Sequence, residues 1–138
     1  MKIDNIFDQA IEFNKELITE RISQKAMLGE VAFAKEYATV SLDLGRQIGK
    51  TMAIARRAKP TDIVFSYNLA CSKEMQRRLE FWNIVQHVEA RPASSAGGDS
   101  ETQYETVWID DATHVKPEEL NKIYESYAHR AKQFILVG

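Results

Sequence analysis

This sequence predicts an α/β fold: a mostly parallel β-sheet sandwiched by helices, with an N-terminal helical segment. Three observations point there. From residue 38 onward, short β-branched or apolar runs alternate with stretches of helical spacing, the pattern of a covered parallel sheet. The chemically distinctive stretches, Gly45–Thr51 and Asp110-Asp111, each directly follow such a run, and ligands of such sheets bind at strand carboxyl ends. Residues 4–37, by contrast, carry helical spacing alone. The expected division is therefore a helical segment over 1–37 packing on a core over 38–138.

Composition limits the size and setting. With 138 residues, 44% apolar and 28% charged, the chain suits one globular domain. Its single cysteine, Cys71, allows no internal disulfide and lacks metal-ligand spacing, so packing or a helix start is its expected place. His87, His114 and His129 have no zinc spacing. The first residues lack the apolar core of a signal peptide and no run approaches a membrane span, so the expectation is a soluble cytoplasmic protein with no membrane partner.

The elements follow in order. Ile6, Phe7, Ala10, Ile11, Leu17 and Ile18 form one helical face, and a second helical piece gathers Met27, Leu28, Val31, Ala34 and Tyr37. Strand 38–44 leads into helix 50–58, then a turn at Lys59-Pro60-Thr61 and strand 62–67. Helix 71–84 follows, with Met75, Leu79 and Trp82 on one apolar face. Residues 85–90 read either as a short strand or as the end of that helix, and the small, polar residues 91–100 as an exposed loop. Strand 106–111 comes next. Pro117 followed by Glu118 and Glu119 marks a helix start, with Leu120, Ile123, Tyr124, Tyr127 and Ala131 as its buried face. The last apolar run, 133–138, is a buried strand.

Between the first strand and its helix stands Gly45-Arg46-Gln47-Ile48-Gly49-Lys50-Thr51. A strand, a loop and a helix start in that order suit a phosphate-binding loop, where backbone N–H groups and the helix dipole favour an anion. Gly49 would allow close approach, Lys50 would reach the outer phosphates, and Thr51 would offer its hydroxyl to Mg2+. The usual pattern has a first glycine where this chain has Leu44. About sixty residues on, Thr106-Val107-Trp108-Ile109-Asp110-Asp111 has the form of a Walker B strand. Asp110 would hold the metal and Asp111 would orient or deprotonate the attacking water.

The loop wording resembles the variant phosphate loop of phage terminase large subunits, Ser-Arg-Gln-x-Gly-Lys-[Ser/Thr], with Gly45 for the serine. Together with strand 62–67 lying in sequence between the two motifs and a second acid after Asp110, the layout resembles the additional-strand, catalytic-acid division of P-loop NTPases. The resemblance covers residues 38–138 in layout and about fifteen residues in motif. It implies that Gly45, Arg46, Gln47, Ile48, Gly49, Lys50 and Thr51 cradle the phosphates of ATP, and that Thr51 and Asp110 hold Mg2+. It also implies catalytic roles for Lys50, Asp111 and Arg46, the last as an arginine finger in cis. Asp111 stands where that family usually has glutamate, one methylene longer. In helicase-like and terminase-like ATPases the segment before the first strand often contacts adenine, for which Gln24 or Tyr37 is available. By position, Thr113 or His114 would sense the γ-phosphate.

Terminases continue with a coupling motif and a nuclease domain, whereas this sequence stops at Gly138. The expectation is thus a minimal terminase-like ATPase with slow turnover, a piece of a longer protein, or a degenerate relative that binds a partner. The resemblance makes a DNA-packaging setting, a viral protein partner or a homo-oligomer natural companions. Charge adds to this: residues 46–91 hold nine Lys/Arg against four Asp/Glu, and residues 92–138 hold four against eight. Arg56, Arg57, Lys73, Arg77 and Arg78 could meet DNA phosphates, although a solvated helix face explains the same residues. The alternative function is a non-catalytic nucleic-acid or protein interaction module that keeps an ATPase-like fold.

Overall fold

The computed structural model describes residues 3–45, 49–82, 89–95 and 102–138. The helical segment comprises α1 (Ile3–Arg21), a 3-10 turn (Ile22–Gln24), the single-turn α2 (Lys25–Leu28) and α3 (Glu30–Tyr37). Then come β1 (Thr39–Leu42), α4 (Lys50–Arg57), β2 (Ile63–Ser66), α5 (Leu69–Trp82) and β3 (Glu89–Pro92). After them lie β4 (Tyr104–Asp110), α6 (Pro117–Tyr127) and β5 (Ala131–Val137). The five strands form one sheet in the order β1-β5-β4-β2-β3, and every neighbouring pair is parallel.

A parallel sheet must be covered on both faces, and here alternate residues feed two separate cores. Val40, Val64, Trp108 and Ile135 face a layer containing Phe7 of α1, Ala53 and Ile54 of α4, and Met75 and Leu79 of α5. Ile63, Phe65, Ile109 and Phe134 face the other layer, with Ala34 of α3 and Ile123, Tyr124 and Tyr127 of α6. The helical segment therefore contributes to both cores. Phe7, fully buried, stacks on Trp108 at a ring separation of 6.4 Å.

Several boundaries depart from the sequence reading. Met27 is 81% exposed and Leu28 is also exposed, because α2 is one turn long and Gly29, at φ +87°, turns the chain before α3 can bury its own face. Arg91 and Pro92, expected in a loop, complete β3 by pairing with β2, and Ala93 just after them is buried. Pro92 is tolerated because β3 is an edge strand. Of the reading of 85–90, residues 85–88 lie outside the described residues, as do 96–101 and the side chain of Trp82. Ala131, assigned above to the last helix, begins β5. Among the described residues no helix is long and apolar enough to cross a membrane.

Candidate functional site

The carboxyl ends of β1, β5 and β4 converge with the start of α4. Gly49 caps that helix at φ +100°, a left-handed conformation that glycine adopts without strain, and its carbonyl accepts the Ala53 N–H at 2.8 Å. Lys50 is thereby the first residue of α4, at the end where the helix dipole is positive. Its ammonium donates to the carbonyl of Gly45 and, at 2.8 Å, to that of Gly138. Gly138 also accepts from Leu44 N–H at 3.4 Å and donates to Leu42 O at 2.8 Å, so the loop entrance is laced to the end of β5. A Cβ at Gly138 would lie 2.8 Å from Thr113 Cγ2, so a larger residue there would force the Thr113 side chain to shift.

Asp110 ends β4 and is 4% exposed. Its Oδ2 accepts the Thr51 hydroxyl at 3.0 Å and its Oδ1 accepts the Asp111 N–H at 3.0 Å. Burial pushes the Asp110 carboxyl above the ordinary carboxylate range, and the Asp111 charge pushes it further. The Thr51 and Asp111 hydrogen bonds and the Lys50 charge act in the opposite direction. Asp111 itself has φ +51°, which ends the strand sharply and opens a short 3-10 turn, Ala112–His114. Aspartate is among the few residue types that enter this region readily. Cys71 sits close enough to both acids that, after burial, their charges raise its thiol pKa. Its N–H is taken by Asn68 Oδ1 at 2.8 Å, which confirms a helix-start role.

Lys50, Thr51, Asp110 and Asp111 are thus gathered at one mouth, while Arg46, Gln47 and Ile48 lie outside the described residues. No protein-family model matches the chain, and no curated protein matches its sequence. The function therefore has to be read from the site itself.

Other residues singled out in the sequence have contacts of their own. Tyr37 hydroxyl donates to Gln24 Oε1 at 3.0 Å, and Tyr37 precedes β1, at the end of that strand opposite the loop. Arg57 donates to Asp8 Oδ1 at 2.9 Å and to Asp4 Oδ1 at 3.0 Å, and Arg56 lies 3.4 Å from Asp4 Oδ2. These two cations tie α4 to α1, with the Arg57 side chain largely covered and that of Arg56 half exposed. Arg77 and Arg78 share Glu74, at 2.8 Å and 3.4 Å, on the exposed side of α5. The His114 ring lies 5.6 Å from that of Tyr67.

Two residues escaped the sequence reading, Gly138 at the mouth and Ser66 at the end of β2. Gly138 acts through its carbonyl, which no side-chain pattern reveals. Ser66 had a signal: it is the polar residue that closes the apolar run Ile63-Val64-Phe65. The donor set at the mouth fits magnesium. Thr51 and Asp110 offer hard oxygen atoms only, and magnesium takes one or two protein oxygens together with phosphate and water.

Proposed function

We propose that this chain binds ATP with magnesium across the 45–51 loop and the end of β4, and hydrolyses it slowly as a minimal terminase-like ATPase. The observation that carries this is the Thr51–Asp110 hydrogen bond, which joins two motifs distant in sequence at the lysine-bearing start of a helix. The strand order adds support. A further strand does stand between β1 and β4, but it is β5, while β2 lies on the far side of β4.

In this reading Lys50 exchanges the carbonyls of Gly45 and Gly138 for the β- and γ-phosphate oxygens, and the N–H groups opening α4 face the same anion. Thr51 and Asp110 would hold magnesium, which when bound supplies positive charge to the phosphates. Holding it draws Asp110 into its ionised form, against the pull of burial. Asp111 orients the attacking water, and Arg46 offsets charge as it develops. DNA and further subunits enter this reading only as companions of the family resemblance, and a cytoplasmic setting goes with it.

Calorimetric titration of ATP, ADP and GTP into wild type and Lys50→Ala, with and without magnesium, tests it, phosphate release being followed on the same samples. Magnesium-dependent binding lost in Lys50→Ala, with circular dichroism unchanged, is the expected result. Binding indifferent to Lys50, or none by the wild type, overturns it in favour of the interaction module.

A further inference from the structure

We propose that the Ser66 hydroxyl is a positioning group for the magnesium shell at Asp110, a role that rests on the ATP-and-magnesium reading above. The sheet register gives its place. Val64 pairs with Trp108 and Phe65 with Ile109, so the next step along the two parallel strands sets Ser66 beside Asp110. Neighbouring strands lie about 4.8 Å apart, within reach of one bridging water.

The face is settled by alternation. Val64 and Trp108 both point into the core under α4 and α5, and residues two further along each strand share that face. Ser66 and Asp110 therefore project on the same side of the sheet as Thr51, whose hydroxyl reaches Asp110 from α4.

Ser66 is fully buried, and its Oγ has no hydrogen-bond partner among the described residues. An unpaired buried hydroxyl costs stability, so in the metal-free protein alanine would serve this position at least as well. With metal bound the balance reverses. A hydroxyl can accept from a water of the magnesium shell while donating its own proton to the carboxylate. Each Asp110 oxygen already has one donor, from Thr51 or from Asp111 N–H, and a carboxylate oxygen accepts a second readily. Ser66 would then hold the carboxylate and the shell water in one arrangement, as outer partners of metal ligands commonly do.

The test is Ser66→Ala, read without catalysis. Thermal melting is measured in EDTA. Mn2+ affinity is measured by the loss of its free-ion spin-resonance signal, in the presence of a non-hydrolysable ATP analogue. The expected result is an unchanged or raised melting temperature, Mn2+ affinity weakened about tenfold, and unchanged metal-free affinity for the analogue. Ser66→Cys, close in size but a weak donor, should resemble alanine. A lowered melting temperature in EDTA with Mn2+ affinity intact would mark Ser66 as structural and overturn the proposal. A wild type that binds neither Mn2+ nor analogue would overturn the ATP reading and this role together, a result distinct because wild type and variant then behave alike.

Discussion

The Thr51 hydroxyl donates to Asp110 Oδ2 at 3.0 Å, although 59 positions of sequence separate the two residues. One opens the helix after β1 and the other ends β4, and β5 fills the gap between those strands. Thr51→Ser keeps the donor and should leave magnesium-dependent nucleotide affinity within about twofold of wild type. Thr51→Ala should weaken the magnesium dependence about tenfold and cost roughly 1.5–3 kcal/mol of stability, the worth of a hydrogen bond to a charged group. Magnesium titrations at fixed ATP, with urea unfolding alongside, separate the two effects.

Asp110 predicts a pH dependence. Its carboxyl holds a proton to higher pH in the folded chain than in the unfolded one, because of burial first and Asp111 second. The stabilisation from that group is therefore complete below the ordinary carboxylate range and is lost as pH rises through the raised value. Asp110→Asn, which can keep its oxygen on the Asp111 N–H and turn its NH2 to the Thr51 hydroxyl as acceptor, should be more stable than wild type at neutral pH. That advantage should vanish on acidification. Urea unfolding in magnesium-free buffer across the acidic range checks it, and an advantage that persists at low pH would refute the cause given.

Asp62 is the instructive contrast. Burial raises its carboxyl too, yet it accepts three donors: Lys59 N–H at 2.9 Å, Thr106 N–H at 3.1 Å and Trp108 Nε1–H at 3.1 Å. An amide has one accepting oxygen in place of two, so Asp62→Asn must turn an NH2 toward at least one of those donors. The expected cost is about 2 kcal/mol. Opposite signs for the two Asp→Asn changes in the same denaturation assay would show that hydrogen-bond demand, more than burial, decides what each carboxylate contributes.

Arg57 anchors the helical segment. Besides Asp8 and the Asp4 carboxylate it donates to the Asp4 carbonyl at 3.0 Å, and its guanidinium lies 5.3 Å from the Phe7 ring centroid. Its side chain is only 16% exposed. Lysine cannot reproduce that fork, so Arg57→Lys should cost about 1–2 kcal/mol. Added salt should narrow the gap without closing it, since the two aspartates are partly solvated but the packing on Phe7 is not screened. Urea unfolding at low and high salt reads both numbers.

Much of this architecture was legible because its signals are local. Ile63-Val64-Phe65 and Phe134-Ile135-Leu136-Val137 are apolar on consecutive residues, as strands covered on both faces require. Pro117 opens α6, and Gly49-Lys50-Thr51 opens α4. Residues 85–90 were ambiguous because a short apolar run fits either a strand or a helix end, and Arg91-Pro92 read as a loop because pairing to β2 leaves no periodic trace.

The sequence by itself determined the main strands and helices other than β3, and it brought the glycine-lysine-threonine loop and the paired acids to strand ends. Both follow from side-chain period and backbone preference, which act over a few residues. Only the tertiary structure decided that β5 lies between β1 and β4, that Lys50 is held by the carbonyl of Gly138, that Arg57 is taken by Asp4 and Asp8, and that β2 runs beside β4 with Phe65 paired to Ile109. Those relations depend on which strand pairs with which and in what register, and a strand's own sequence carries its faces but not the identity of its neighbour.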